Sequence, residues 1–260
     1  MTQTRTVDQL RVEIFTDVLE LARSAARAAA DALRTAIADR GAANVMLATG
    51  NSQLVFLAEL VTCPDVDWSR ITAFHMDEYV GLPPTHAASF QRYMRERVAA
   101  NLPFQAFHYL QGDTGDAEQE ARRYADLLRA HPLDLCCCGI GENGHLAFND
   151  PPADFQTTKP YLIVELDQAC RQQQVNEGWF ADFADVPKRA ISMSIRQILS
   201  AREIIAVVPD ARKAQAVKAC LEGEISPLAP ASFLREHPNA TIYLDKDSAA
   251  LLSVPQAWTK

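Results

Sequence analysis

The clearest candidate for a chemical site is the glycine-rich segment 139–150, which directly follows an apolar run. It reads Gly-x-Gly-x-x-Gly, with Gly141 and Gly144 as its later glycines, and then offers His145 and Asp150. Glycines permit tightly curved backbone, so both side chains can be held at the end of a buried strand. Imidazole titrates near neutral pH and a carboxylate can orient it, so the segment predicts general acid–base chemistry.

Two other interpretations of this segment stay open. Gly-x-Gly-x-x-Gly also occurs in dinucleotide sites, but that use requires a long helix after the glycines. Here Pro151 and Pro152 interrupt the chain shortly after the last glycine, which argues against a nucleotide site. The second alternative is an ordinary glycine turn with an incidental histidine.

The turn 49–52 is a candidate anion site. It links a strand predicted over 44–48 to a helix predicted over 53–61. Gly50 frees the turn, Ser52 is a good helix N-cap, and the backbone N–H groups at a helix start bind anions. An ordinary strand–turn–helix connection is the alternative.

Charged side chains follow two more predicted strands. Asp77 and Glu78 come directly after the strand at 71–76, so one could be a general base and the other its structural partner. Lys213 lies in the first turn of a helix after the strand at 204–209, from which it can reach an anion at the same sheet edge. A solvated turn and a solvated lysine are the respective alternatives.

These segments are embedded in alternating strands and helices. The predicted strands lie at 44–48, 71–76, 107–110, 136–138, 161–164, 190–195, 204–209 and 241–244. The predicted helices lie at 7–39, 53–61, 89–99, 115–131, 168–174 and 210–222. Such alternation predicts βαβ units in a Rossmann-like α/β fold, a single doubly wound, mostly parallel sheet with helices on both faces. Because no linker is evident, we predict one domain over 1–260.

Composition narrows the function class. The net charge of −8 argues against a nucleic-acid partner, and no apolar stretch is long enough to span a membrane. The N-terminus has no apolar signal core, so we expect a cytoplasmic protein. The six cysteines are expected to be buried small hydrophobes, and residues 136–138 cannot all point the same way in a strand, so no metal site is predicted. A homo-oligomer is compatible with the sequence.

Three segments together resemble the glucosamine-6-phosphate deaminase (isomerase) family: 48–52 (ATGNS), 74–82 (FHMDEYVGL) and 139–149 (GIGENGHLAFN). Their order and spacing agree from about residue 40 to 245. The resemblance implies a sugar-phosphate substrate and aldose–ketose isomerisation with deamination. Glucosamine 6-phosphate, or a close epimer, would give fructose 6-phosphate and ammonia without metal or cofactor.

The resemblance also implies residue roles. Asp77 corresponds to the base that moves a proton between C2 and C1, and His145 to the group that opens the sugar ring. Asp150 stands where the family has a glutamate that orients this histidine; it is one methylene shorter, so we expect its contact with His145 to come from a backbone shift or from a water. With Asn143, where many members carry aspartate, these are the predicted catalytic residues. Arg171 is the candidate for the family's phosphate-binding arginine.

The predicted substrate- and phosphate-binding residues are Thr49, Gly50, Asn51, Ser52, Gly141, Gly144, Arg171 and Lys213.

Two other functions compete with the deaminase hypothesis. A 6-phosphogluconolactonase would follow Asp-Glu with arginine, and its histidine with an Ala-Ser-Leu-Phe-Pro type sequence. This chain has Tyr79 after Glu78 and Leu-Ala-Phe-Asn at 146–149, which favours the deaminase. A sugar-phosphate sensor without activity would lose the acid–base pair, whereas Asp77 and His145 are both present.

Overall fold

The computed structural model describes residues 3–253. The strands are β1 (Gln3–Val7), β2 (Leu10–Phe15), β3 (Ala43–Leu47), β4 (Ile71–His75), β5 (Asp77–Tyr79), β6 (Ala106–His108), β7 (Leu135–Cys138), β8 (Tyr161–Glu165), β9 (Arg189–Met193), β10 (Glu203–Val208) and β11 (Ala240–Asp245). The α-helices are α1 (Val18–Arg40), α2 (Leu54–Leu60), α3 (Phe90–Arg97), α4 (Ala117–Ala130), α5 (Gln168–Asn176), α6 (Ile195–Ile198) and α7 (Ala214–Glu222). Short 3₁₀ turns include Asn51–Gln53 and Ala211–Lys213.

The main sheet has eight strands in the order β1-β2-β11-β10-β7-β3-β4-β6. All pairs of adjacent strands in this sheet are parallel except β1 and β2, which form an antiparallel hairpin. From β3 the chain adds β4 and β6 on one side, and then returns to add β7, β10 and β11 on the other. This reversal opens a crevice at the carboxyl ends of β3 and β7, where ligands bind in open α/β sheets.

Helices cover both faces of this sheet because its strands are apolar on both sides. Val45 and Leu47 pack with the buried alanines and leucines of α1, whereas Met46 packs on the opposite face with α4. Cys136 and Cys138 likewise face one side and Cys137 the other, as the strand alternation predicts. The prediction of a doubly wound, mostly parallel sheet is confirmed.

The six cysteines are free thiols. Five of them are buried, as expected of small apolar side chains, and Cys63 is half-buried.

A second sheet makes the prediction of a single sheet incomplete. β5 and β8 each pair antiparallel with β9, giving three strands in the order β5-β9-β8. Asp77 opposes Ser192 in this sheet. The predicted strands at 161–164 and 190–195 therefore form, but outside the parallel sheet.

The predicted helix over 7–39 is wrong in its first third. Residues 3–15 form the β1–β2 hairpin, and α1 begins at Val18, with Asp17 accepting N-cap hydrogen bonds from its first turn. Apolar Leu10, Val12 and Ile14 alternate with polar residues, which is the period of a strand, and β2 pairs with β11. The predicted end of the helix is correct, since Gly41 (φ 81°) caps it in the left-handed conformation.

Across residues 3–253 we find no helix that combines the length and the apolar character needed to cross a membrane.

Candidate active site

A cavity of about 270 Å³ lies at the carboxyl ends of the central strands. It is near the lower end of the roughly 300–1,000 Å³ that small-molecule sites occupy. Asp77 and His145 line this same cavity, together with the whole turn 49–52 and Lys213. Segments far apart in sequence thus meet at one point, because each follows a parallel strand of the same sheet.

His145 is held by a hydrogen-bond network inside its own loop. Its Nδ1 lies 3.0 Å from Oδ1 of Asp150, and its backbone N–H donates to Oδ1 of Asn143 at 3.1 Å. The amide of Asn143 in turn donates to Oδ1 of Asp150 at 2.9 Å. The two side chains are therefore in direct contact, which agrees with the backbone-shift alternative and needs no bridging water.

The glycines of the loop have different tasks. Gly141 lines the cavity, and a Cβ added there would lie 2.3 Å from ring atoms of His145. Glycine is therefore required at this position, because any side chain would clash with the imidazole ring. Gly144 adopts φ 87° and lies against Cys220, outside the cavity lining, so it shapes the turn and does not face the predicted substrate site.

Asp77 and Glu78 occupy different environments although they are adjacent. Both carboxylates are buried on β5, but Glu78 accepts hydrogen bonds from Ser89 Oγ and from the backbone N–H groups of residues 79, 90 and 91. These donors tie Glu78 to the start of α3. Asp77 faces the cavity, and burial, followed by the charge of Glu78, raises its pKa to about 8.

The turn 49–52 is held rigidly behind the cavity. Gly50 has φ 104°, and its carbonyl accepts a hydrogen bond from Tyr93 Oη at 3.1 Å. Buried Gln53 donates to Ser52 Oγ and to the Val207 carbonyl, both at 3.0 Å. The first N–H groups of a helical turn have no acceptor within it, so they can bind an anion.

Ser52 is not the N-cap that the sequence predicts. It lies inside the 3₁₀ turn Asn51–Gln53, where Gly50 takes the cap position without a side-chain hydrogen bond. The Ser52 hydroxyl is instead an acceptor for the Gln53 amide and faces the cavity.

Cationic groups reach the cavity from the turn after β10. Lys213 is buried, and burial lowers the pKa of its ammonium group. Arg212 also lines the cavity, paired with Asp210 at 2.8 Å and with Glu142 at 3.6 Å. Asp210 itself has φ 90° and ψ 134°, a conformation that favours glycine.

Four residues predicted for the site lie outside its lining, namely Asn143, Gly144, Asp150 and Arg171. Arg171 donates to the carbonyls of Phe183 and Val186 at 2.8 and 2.9 Å and stacks on the Phe183 ring. Its guanidinium therefore holds the loop after α5 and does not reach the cavity. Asn143 also stays behind the lining and acts through Asp150 and His145.

One wall of the cavity is not predicted from the sequence. The wall is formed by the end of α5 and the turn after it, with Gln173, Gln174, Glu177 and Trp179. Gln174 is buried and accepts a hydrogen bond from the Tyr79 hydroxyl at 2.8 Å. No motif marks these residues, since their place follows from a contact across 95 positions. Arg212 is the other omission, although it adjoins the predicted Lys213.

Residues 16–243 match the family described as glucosamine-6-phosphate isomerases/6-phosphogluconolactonase. A glucosamine-6-phosphate deaminase of Bacillus cytotoxicus is 37% identical over 236 residues, which cover 91% of this chain and 88% of the relative. One of Bacillus cereus (strain G9842) is 41% identical over 207 residues, 80% of this chain and 77% of the relative.

Solved structures show the same similarity. The structure of a monomeric glucosamine-6-phosphate deaminase superposes with a TM-score of 0.85 at 31% identity, covering 92% of this chain and 99% of that one. A 6-phosphogluconolactonase from Shewanella baltica superposes with a TM-score of 0.74 at 21% identity, covering 93% and 97%. At this lower identity, the similarity to the 6-phosphogluconolactonase shows a shared fold only.

Proposed function

The chain belongs to the family of glucosamine-6-phosphate isomerases and 6-phosphogluconolactonases, and we propose that it converts glucosamine 6-phosphate and water into fructose 6-phosphate and ammonia. The observation that carries this proposal is that Asp77, His145 and the turn 49–52 line one cavity. A base, a proton shuttle and an anion site around one small molecule are the groups that this reaction needs.

The phosphate group would bind at the turn 49–52, with Lys213 and Arg212 beside it. Backbone N–H groups, the buried ammonium group of Lys213 and the exposed guanidinium group of Arg212 offset its charge there. Binding the distant phosphate fixes the position of C1 and C2 against the catalytic groups, and so lowers the entropic part of the barrier.

His145 would open the pyranose ring. With Nδ1 bonded to Asp150, its Nε2 is the nitrogen available to the substrate. Ring opening takes the proton of the C1 hydroxyl and delivers one to the ring oxygen, and one imidazole can do both. The Asp150 carboxylate stabilises the imidazolium form that exists between these two transfers.

Asp77 would then move the proton from C2 to C1. Abstraction at C2 of the open-chain aldehyde gives an enolamine, and return of the proton at C1 gives an iminium at C2. Attack of water on C2 releases ammonia and leaves the ketose phosphate. Burial raises the pKa of Asp77 to about 8, so its ionised form is a stronger base: that form accepts the C2 proton, and the resulting acid holds it until it is returned at C1.

Lactone hydrolysis is the alternative within the family. Position 79 argues against it, since the Tyr79 hydroxyl is committed to Gln174 in the cavity wall, where the lactonase pattern would place an arginine. In the deciding assay, the purified protein is incubated with glucosamine 6-phosphate and, separately, with 6-phosphogluconolactone. We expect ammonia and fructose 6-phosphate from the first, and acid release from the second no faster than without enzyme. The reverse result would assign the chain to the lactonases.

We also infer that the chain acts on its sugar phosphate as one domain over 1–260 in the cytoplasm. The contiguous sheet and the spread of site residues from 49 to 213 support the single domain. The galacto and manno epimers of the substrate belong in the same ammonia-release assay.

A further inference from the structure

Three different metal-binding side chains meet behind the cavity. They are an imidazole nitrogen of His145, a carboxylate oxygen of Asp150 and Sγ of Cys170, which all lie within 4.8 Å of one another. Cys170 comes from the first turn of α5, on a different segment from the histidine loop. The proposed reaction uses the imidazole and the carboxylate but gives the thiol no task.

This donor set fits Zn²⁺. Zinc binds imidazole nitrogen, carboxylate oxygen and thiolate sulfur at about 2.0–2.3 Å, and its sites with three protein ligands leave a fourth position for water. In a tetrahedral site the ligand atoms are about 3–4 Å apart. The distance from Nδ1 of His145 to Oδ1 of Asp150 is already 3.0 Å. The sulfur of Cys170 lies within 4.8 Å of a ligand atom of each, so a shift of about 1 Å brings it to the distance of a tetrahedral site.

The second carboxylate oxygen also calls for a partner. Oδ2 of Asp150 is buried and has no hydrogen bond of normal geometry within the described chain, although the Cys170 thiol lies close enough to donate weakly to this carboxylate. Charge is balanced too, because one carboxylate and one thiolate offset the two positive charges of the ion.

We propose that His145, Asp150 and Cys170 form an inhibitory Zn²⁺ site. The ion would enter through the cavity, which His145 lines. Binding forms Zn–N, Zn–O and Zn–S bonds and releases the thiol proton to solvent. Burial raises the pKa of the free thiol, and coordination to the metal supplies the stabilisation that its thiolate needs.

Such an ion would stop turnover. With Nδ1 bonded to zinc, the imidazole carries its hydrogen on Nε2 and has no lone pair left to accept a substrate proton. Asp150 would be neutralised at the same time. The inhibition is reversible, since a chelator can remove the ion and the Cys170 thiolate then takes a proton back from solvent.

The test measures metal binding directly, because inhibition alone depends on the proposed function. Zn²⁺ affinity is determined by competition with a chromophoric chelator, and Co²⁺ is added separately to look for thiolate-to-cobalt charge-transfer absorption. Cys170→Ser and Cys170→Ala remove the sulfur ligand. Cys63→Ser is the matched control, because this thiol donates only to the Ala26 and Glu59 carbonyls, at 3.6 Å each, and a hydroxyl can do the same.

We expect one Zn²⁺ per chain, a charge-transfer band in the wild type and in Cys63→Ser, and at least tenfold weaker binding without the band in both Cys170 variants. EDTA should restore ammonia release in the zinc-treated wild type. Wild-type affinity in folded Cys170→Ser, or no band in the wild type, would overturn the site. Thermal melting confirms that each variant is folded, and the binding result stands whichever sugar phosphate proves to be the substrate.

Discussion

Nδ1 of His145 and Oδ1 of Asp150 lie 3.0 Å apart. Asn143, in the same loop, hydrogen-bonds to both residues, since its amide donates to Asp150 and its Oδ1 accepts from the backbone N–H of His145. Burial alone would raise the pKa of Asp150, but the hydrogen bonds from His145 and Asn143 outweigh it and hold the pKa below its ordinary value. The carboxylate therefore stays ionised and orients the imidazole, although its side chain is the shorter of the two acidic types. The close turn of the glycine loop makes up for the missing methylene.

Gly141→Ala tests whether the place of the imidazole matters. The new Cβ would meet the His145 ring at 2.3 Å, so the ring must rotate away from Asp150. We expect a fall in kcat of about 10²–10⁴-fold, the usual contribution of general acid–base catalysis. His145→Gln should cause a similar loss on the cyclic substrate. Steady-state ammonia release measures both, and wild-type kcat in Gly141→Ala would show that the ring does not act from its present position.

Asp77→Asn should abolish proton transfer but leave binding intact. The amide keeps the shape of the side chain and cannot accept the C2 proton, so we expect kcat to fall about 10²–10⁴-fold. The dissociation constant for fructose 6-phosphate, measured by calorimetry, should stay within a few-fold of wild type. Asp113→Asn, at an exposed position, is the matched control. A fully active Asp77→Asn would remove this residue from the mechanism.

The raised pKa of Asp77 also predicts how stability varies with pH. The unfolded carboxyl titrates near its ordinary value of 3.8, whereas the folded one titrates at about 8. Between these values the folded state holds a proton that the unfolded state has lost, so this group's contribution to stability falls as pH rises. Asp77→Asn removes that dependence.

We therefore expect Asp77→Asn to gain stability relative to wild type between pH 5 and pH 8. The gain in the free energy of unfolding should be on the order of a few kcal/mol. Urea unfolding at several pH values measures this difference. A difference that is flat across the range would contradict the raised pKa.

Lys213→Met should weaken binding of phosphorylated ligands. Removal of a buried cation from the cavity costs one charge-assisted contact, worth about 1.5–3 kcal/mol, or roughly 10–100-fold in KM. Lys218→Met, at an exposed position on the following helix α7, is the control and should leave KM unchanged. Equal KM values for the two variants would place the phosphate elsewhere in the cavity.

Asp210 offers a test of backbone strain. At φ 90° and ψ 134°, glycine is comfortable, whereas a residue with a Cβ is strained by about 1–3 kcal/mol. Asp210→Gly and Asp210→Ala both lose the hydrogen bonds to Arg212, so only the backbone separates them. We expect the glycine variant to be the more stable by at least about 1 kcal/mol in urea unfolding, the reverse of the usual preference for alanine. A more stable alanine variant would argue that the turn rearranges.

The sequence predicts the cavity's main parts because each is local. A strand that ends in glycine or acid can be recognised in a single segment, and parallel strands bring their carboxyl ends to one edge. Residues 49–52, Asp77 and His145 were found in this way. The sequence left open whether Asp150 reaches His145 by a backbone shift or through a water, because that depends on loop curvature.

The elements that are not predicted from the sequence either depend on contacts with residues far away in the chain or lie beside a segment with a stronger pattern. β5 is three residues long and is a strand only because β9, over a hundred positions later, pairs with it. The cavity wall around Gln174 depends on the Tyr79 hydroxyl in the same way. The hairpin at residues 3–15 has a period-two pattern of apolar residues, but the strong helical pattern of the adjacent alanine-rich segment extends the predicted helix over part of it.

The reversal of strand order between β3 and β7 also determines when, during folding, the protein can first bind a sugar. No short stretch of chain contains the cavity, since its floor and sides come from segments on both halves of the sheet. Contacts between such distant segments form late, because the intervening loops must close first. A chain that has regained its helices but not its middle strands would have native-like helices and no cavity in which to bind a substrate.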